Sequence, residues 1–441
     1  ASREAVFGAC SSLASPPVTC IDGYLGGFAK KILRRPLTTE ERALAKAIAN
    51  SGGSYQTNLA AVLSLHLQSP FFTWRIEIGN DTQSSATDFL LTQYEIASRI
   101  SYEAADMPPD QALMGAADRG ELSDLENVKI HVGRLLKTPY GREKVQNSLM
   151  RWSLSDRVAN VDSLPAALKQ DVDTTGLDEA IMNEARAYVD YMLFTKNASY
   201  ADLITSKVSF AAHAGLAKIY EHAPVTGAPA TFGGRRQGLL MRSAFLGGAG
   251  TRTSIIGRGV EFQKHVLCNE IPSPTADIVD LRTQAEFTHD ELMFKTNKEA
   301  VAYQTKAPVC MGCHSVINPS GFAFENLDPL GRYRTSEAIF DGTTFVRNLP
   351  VDAASSVPMG DGKMAPVQDA YDLMSFVAYS PRASACFTRN VYRFIYEKEE
   401  TEADSCHLAG VHRLVADPKT PLLDGLVEAI AAKSIFIKHV Q

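Results

Sequence analysis

The sequence has no excess of positive charge, no long apolar run and no internal repeat. Its 441 residues carry 44 basic and 50 acidic side chains, so the net charge is −6 at pH 7. This balance excludes a chain built mainly to hold nucleic acid, which requires a basic surface. No stretch reaches the roughly 18 uninterrupted apolar residues of a membrane-spanning helix, so we expect no transmembrane segment. With 45% hydrophobic and 21% charged residues, the composition is that of a folded protein with two or three domains.

Cysteine is also scarce. The seven cysteines are too few for a disulfide-rich scaffold. Six of them fall into three local pairs, and one stands alone: Cys10 with Cys20, Cys310 with Cys313, Cys386 with Cys406, and the single Cys268. We expect the first and third pairs to form disulfides and the middle pair to serve another purpose.

Apolar residues recur at helical spacing through most of the chain, and strand-like alternation is rare. The clearest helix starts at Thr38, which has the capping-box spacing to Glu41, and ends before Ser51-Gly52-Gly53. Further helices are predicted over residues 59–68, 92–102, 122–137, 140–153, 177–193, 369–379 and 422–436. Residues 308–364 are predicted to be mainly loop. The fold class is therefore expected to be mainly α.

A cluster of Pro and Gly between His222 and Arg236 indicates a domain boundary. We predict an N-terminal helical domain over residues 1–88, a middle helical domain over 89–232 and a C-terminal domain over 233–441.

Residues 310–314 read C-M-G-C-H, the sequence that attaches c-type haem. Two thiols three positions apart can add to the two vinyl groups of a porphyrin. A histidine directly after the second thiol is then placed to bind the iron. Two alternatives stay open: a redox dithiol, which favours a βαβ setting, and half of a zinc site, which needs a second ligand pair.

The sequence around this motif resembles a large, uncharacterised, secreted multi-domain family with a C-terminal cytochrome-c-like module. The matching blocks cover nearly the whole chain in order: residues 34–38 with Glu41, 67–77, 91–102, 258–268 and 310–334. The resemblance implies that residues 233–441 are a cytochrome-c-like haem domain, loop-rich and helical, with one covalent haem c on Cys310, Cys313 and His314. The family usually has Asp where this chain has Asn318.

The second axial ligand of the iron decides the chemistry, because a methionine makes an electron carrier and an open site permits peroxide or oxygen chemistry. We prefer Met364, with Met359 as its rival, because the order of a Met near Pro before a late helix resembles small cytochromes c. Each of four histidines is a weaker candidate: His265, His289, His407 and His412.

Other residues near the motif are assigned to the haem surroundings. Arg332, Tyr333 and Arg334 are candidates to bind the haem propionates, and Phe322, Phe324 and Leu327 to contact the macrocycle. Glu325 and Asp328 are expected to pair with Arg332 and Arg334 rather than to act in acid–base catalysis.

We therefore expect a monohaem c-type cytochrome that transfers single electrons. The alternatives are a haem peroxidase or oxidase with an open distal site, and a haem-bearing interaction subunit of a larger redox complex, so whether the chain is an enzyme is left open. Expected partners are redox proteins, with a membrane-associated electron-transfer complex as one option. Because haem c is attached outside the cytoplasm, we expect a periplasmic or cell-surface protein from which any export signal has been removed.

Overall fold

The structure is a computed structural model, and it describes residues 3–13, 17–79, 88–154, 161–246, 250, 252–273, 291, 293–341, 344–431 and 436–439. The described part is mainly helical, which confirms the predicted fold class. The chain divides into two compact units, Ala1–Lys144 with Ile430–Gln441 and Val145–Ala429. The three-domain division made from the sequence stays a prediction. Within the described ranges, no helix is both long and apolar enough to cross a membrane.

The first unit is built from helices and one short strand pair. Its helices are Arg3–Phe7, Asp22–Tyr24, Lys30–Leu33, Thr39–Ala49, Tyr55–Leu67, Pro70–Thr73, Gln93–Ala105, Gln111–Asp118 and Leu125–Leu136, with shorter turns at Gly8–Ser12, Val18–Ile21, Leu25–Ala29 and Glu121–Ser123. Asp88–Leu90 pairs antiparallel with Ile437–His439. The unit boundary falls within the helix Pro139–Trp152.

Capping boxes fix two helix starts in the first unit. Thr38 accepts a hydrogen bond from the backbone N–H of Glu41, whose carboxylate accepts from the backbone N–H of Thr38, which confirms the predicted start. Thr92 and Glu95 repeat the arrangement. Each box gives hydrogen-bond partners to backbone N–H groups that the start of a helix leaves free. The helix can therefore begin at this residue without unsatisfied donors.

Within its described residues, the second unit holds most of the C-terminal helices and three antiparallel strand pairs, two of which are hairpins. Its helices are Ala166–Lys169, Leu177–Asp190, Tyr200–Thr205, Ala214–Ile219, Ser243–Leu246, Ile255–Glu261, Asn297–Gln304, Pro308–Phe322, Ala370–Ala378, Pro381–Tyr396, Ser405–Ala416 and Leu422–Ile430, with shorter turns at Val161–Ser163, Tyr191–Thr195, Phe262–Val266 and Glu402–Asp404. Its antiparallel pairs are Val208–Ser209 with Ala230–Thr231, Ser336–Asp341 with Thr344–Pro350, and Ser355–Gly360 with Lys363–Val367.

The prediction of a loop-rich centre over residues 308–364 is wrong. The structure has a 15-residue helix, Pro308–Phe322, followed by two hairpins. Pro308 occupies the first turn, where a missing N–H is harmless. The other described Gly and Pro residues of this segment lie within regular elements or in tight turns, so they do not mark an extended loop.

The predicted Cys386–Cys406 disulfide is also wrong. Cys386 is bonded to Cys268, with their Cα atoms 5.4 Å apart, whereas Cys406 is an exposed free thiol. Cys386 is 1% exposed, and Cys268 is half-buried. The turn Phe262–Val266, which ends two residues before Cys268, packs against the helix Pro381–Tyr396 that carries Cys386, and this packing brings the two thiols together. The predicted Cys10–Cys20 pair involves the side chain of Cys10, which lies outside the described residues.

Glu103 is an unusual buried acid in the first unit. It is 6% exposed, and its Oε2 has no hydrogen-bond partner within the part of the chain that is described. Burial raises its pKa from 4.5 to about 8, although the nearby Arg99, Arg75 and Lys144 favour the charged form. The protonated form is therefore the one that the fold favours.

Because the folded chain binds this proton more tightly than the unfolded chain, Glu103 contributes stability that is present below pH 4.5 and is lost as pH rises to about 8. In the native chain, Glu103 should lower the free energy of unfolding by up to about 1.4 kcal/mol for each pH unit between these values, and Glu103→Gln should not show this loss. Urea denaturation at pH 5 and pH 8 measures the free energy of unfolding of both proteins. The exposed Glu126→Gln is the control, and equal pH dependence in both variants would contradict the assignment.

Candidate functional site

The C-x-x-C-H residues lie in the first half of the helix Pro308–Phe322, which we call the motif helix. Residues three and four apart share one face of a helix, so the thiols of Cys310 and Cys313 and the imidazole of His314 lie on neighbouring positions of one face. Both thiols are free. Cys310 is 8% exposed, and the other two side chains are half-buried.

Two glycines let the motif helix pack directly on the helix Ile255–Glu261, which we call the cross helix. A Cβ atom on Gly321 would lie 2.1 Å from the backbone oxygen of Ile255, and one on Gly259 would lie 2.2 Å from that of Ile317. Such distances are far below van der Waals contact, so only glycine fits either position. The two backbones therefore touch from both sides, and this contact fixes where the motif helix lies.

A buried arginine on the cross helix holds the chain that follows the motif helix. The guanidinium of Arg258 donates hydrogen bonds to the backbone oxygens of Phe324, Leu327 and Asp328 at 2.8–3.1 Å, and to that of Leu246 at 2.8 Å. Burial lowers its pKa to about 10. The group stays charged at neutral pH. It supplies hydrogen bonds to four backbone carbonyl groups, which would cost free energy if they were buried without a donor.

His314 is held by a side-chain amide. Its Nδ1 lies 2.8 Å from Oδ1 of Asn318, and Nδ2 of Asn318 donates to the hydroxyl oxygen of Thr305 at 2.7 Å. The Thr305 hydroxyl donates to the backbone oxygen of Val301 at 2.8 Å. The imidazole is therefore oriented by a chain of neutral groups that ends on backbone, and its Nε2 makes none of these bonds.

The hairpin Ser355–Gly360 with Lys363–Val367 packs along the motif helix and carries both methionine candidates. Ser355 donates a hydrogen bond to the backbone oxygen of Pro319 at 2.9 Å. Met359 is 6% exposed and belongs to the core, whereas Met364 is 51% exposed. Of the two thioethers, only that of Met364 lies outside the core.

The described histidine candidates have other partners. Nε2 of His265 lies 3.1 Å from a Glu261 carboxylate oxygen. Nε2 of His407 lies 3.1 Å from the backbone oxygen of Ala429, and that of His412 lies 2.9 Å from the Ser384 hydroxyl. His289 lies outside the described residues.

The arginines assigned to the propionates form ion pairs within the chain. Nε of Arg332 donates to Asp328 at 2.7 Å, and Arg334 lies 3.3 Å from Glu325. These pairs confirm the expected role of the two carboxylates. The contact of Arg332, Arg334 or Tyr333 with a propionate stays a prediction.

The apolar residues assigned to the macrocycle divide into two groups. Phe324 and Leu327 are fully buried, and the Phe324 ring packs against Phe245 and Phe262 with centroids 5.9 and 6.1 Å apart. These two therefore form protein core. Phe322 is half-buried, at the end of the motif helix, with the ammonium of Lys298 5.3 Å from its ring centre.

The zinc alternative needs a second ligand pair near the motif. Across the described ranges, no group of three or more His, Cys, Asp or Glu side chains is arranged to hold a metal ion. The dithiol alternative lacks its usual setting, because the motif lies on a helix packed against a helix and a hairpin rather than in a βαβ unit. The geometry thus favours neither alternative.

Two family models match the chain in succession. Residues 91–221 match PSD4, described as a protein of unknown function (DUF1592), and residues 236–337 match PSCyt3, described as a protein of unknown function (DUF1588). The motif helix and the cross helix both lie in the second match. No curated protein and no solved structure matches the chain. The chain thus contains two consecutive domains of uncharacterised families.

Gly321→Ala tests the close helix contact. The added methyl group must push the backbone of Ile255 away, so we expect the free energy of unfolding to fall by about 1–3 kcal/mol. Gly410→Ala is the matched control, because a Cβ there meets nothing within 4 Å in the helix Ser405–Ala416. That variant should be neutral or more stable by up to about 1 kcal/mol. Urea denaturation compares them, and similar stabilities would rule out the steric role of Gly321.

Proposed function

We propose that this chain, with its two consecutive domains of unknown function, is a monohaem c-type cytochrome that transfers single electrons between partner proteins. One observation carries the proposal: Cys310, Cys313 and His314 occupy one face of a helix whose position is fixed by backbone contact. A covalently held haem c would be attached by the two thiols and bound through its iron by the imidazole.

The donor set fits this group. Both thiols are free, and their i, i+3 spacing on a helix brings them to the same side. Nδ1 of His314 is occupied by Asn318, which leaves Nε2 to bind iron. When bound, haem c supplies reversible one-electron exchange. The residues of the chain hold it, orient the imidazole and exclude water from the buried side of the helix.

Met364 is the proposed second iron ligand. It is exposed on a hairpin that packs along the motif helix, and its thioether is not part of the core. A methionine ligand would favour the reduced state of the haem and would leave its iron no open position for peroxide or oxygen, which suits a carrier. Met359, by contrast, packs in the core.

The proposed partners are redox proteins outside the cytoplasm. Val309 and Met311 flank Cys310 on the motif helix and are 50% and 40% exposed. A partner docking on these apolar side chains would bring its own redox centre near the attached haem. The Cys268–Cys386 disulfide supports a periplasmic or cell-surface location, because such bonds persist in oxidising compartments.

The attachment is tested by intact mass and haem staining after expression with a c-type haem maturation system. We expect the native chain to carry one covalent haem and the double variant Cys310→Ala/Cys313→Ala to carry none, because no thioether can form. Cys406→Ala, which removes another free thiol, is the control and should keep the haem. A native chain that leaves the maturation system with the mass of the bare polypeptide would contradict the proposal.

The second ligand is tested by Met364→Ala. We expect loss of the weak long-wavelength absorption band of Met-ligated ferric haem and a lower reduction potential, because the thioether stabilises the ferrous state. Met359→Leu keeps a buried side chain of similar size and should leave the spectrum unchanged. An unchanged Met364→Ala spectrum would assign the position to another residue or to an open site, and cyanide binding by the native chain would identify the open site.

A further inference from the structure

The hydrogen bonds around His314 have only one consistent direction. The Thr305 hydroxyl has a single proton, which it donates to the backbone oxygen of Val301 at 2.8 Å. Its oxygen therefore accepts from the Nδ2 group of Asn318 at 2.7 Å. The amide must then present Oδ1 to the imidazole, and this oxygen can only accept.

This direction fixes the tautomer of the imidazole. Since Oδ1 of Asn318 only accepts, the ring nitrogen 2.8 Å away must carry the proton. Nδ1 of His314 is therefore the donor, and Nε2 of the neutral ring has the free lone pair that a metal needs. Asn318 is 5% exposed and Thr305 is 3% exposed. Bulk water therefore cannot easily reach either hydrogen bond and replace it.

We propose that Asn318 is a positioning residue that selects the metal-binding tautomer of His314 and, as a neutral acceptor, keeps the reduction potential of the bound haem high. The inference rests on the proposed function in one respect, that His314 binds the haem iron. Thr305 acts one step further away, because it prevents the amide from turning its NH₂ group toward the imidazole.

The charge of the acceptor matters because it changes how strongly the imidazole donates to iron. A carboxylate accepting from Nδ1–H draws the proton away and makes the ring a stronger donor. A stronger donor stabilises ferric over ferrous iron and lowers the potential. The neutral amide lacks this effect, which favours an electron carrier over a site with a strongly donating proximal ligand.

The experiment compares the native holoprotein with Asn318→Asp in a redox titration followed by absorption. At fixed ambient potential, we expect at least a tenfold higher ratio of oxidised to reduced haem in the variant, which is about 59 mV for a one-electron couple. Haem content per chain, measured separately, should match the native value. Equal potentials at equal haem content would overturn the proposal.

A second measurement does not depend on haem. In the full chain expressed without haem, ¹⁵N spectra of labelled histidine distinguish protonated from bare ring nitrogens, and His314→Gln identifies the signals of His314. We expect a single Nδ1–H tautomer in the native chain and in Thr305→Ser, which keeps the hydroxyl, and mixed tautomers in Thr305→Val. Mixed tautomers in the native chain, or one unchanged tautomer in Thr305→Val, would overturn the role of the amide.

The two measurements also separate this inference from the proposed function. A native chain that takes up no covalent haem defeats the cytochrome proposal, while the nitrogen spectra still decide whether Asn318 and Thr305 fix the tautomer. A native chain with haem but with the wrong tautomer response defeats the positioning role alone.

Discussion

The direct contact between the backbones of the motif helix and the cross helix is the constraint on which the site depends. Gly259 and Gly321 each face a backbone oxygen of the other helix at a distance that no side chain permits. Because neither helix can move closer or rotate without a clash, the face that carries the cysteines and the histidine is fixed. Arg258, next to one of these glycines, then binds the carbonyl groups of the turn that follows.

This rigid frame allows a reactive segment to be oriented by weak, neutral interactions. The imidazole of His314 bonds the amide of Asn318, and the Thr305 hydroxyl in turn holds that amide, so no charged group orients the ring. The buried carboxylate of Glu325 is paired with Arg334 and hydrogen-bonded by Asn297 instead. A neutral acceptor does not strengthen the imidazole as a metal ligand in the way that a carboxylate does.

The sequence was a good guide wherever the chemistry is local. The Thr38 capping box and the amphipathic helices depend on residues a few positions apart, and they are present. The C-x-x-C-H motif is equally local, and the structure places its two cysteines and its histidine on one face of a helix. Helical spacing would also have paired Asn318 with His314, four residues apart, had the segment been predicted as helix.

Long-range packing explains what the sequence did not reveal. Gly321 is required by the cross helix, which lies far earlier in the chain, because its Cα faces the backbone oxygen of Ile255. The turn Asp361-Gly362 has two residues with positive φ, 53° and 71°, and is a hairpin signal that a loop prediction missed. Sequence proximity suggested a bond between Cys386 and Cys406, yet the packing of Phe262–Val266 against the helix Pro381–Tyr396 brings Cys268 to Cys386.

The proposed function requires one haem to be covalently bound to this chain through the motif helix. The most direct measurement is the pyridine haemochrome spectrum of the purified chain, combined with its iron content. We expect one iron per chain and the absorption of a haem whose two vinyl groups have been converted to thioethers. A chain with no iron, or with haem that acidified organic solvent extracts, would contradict it.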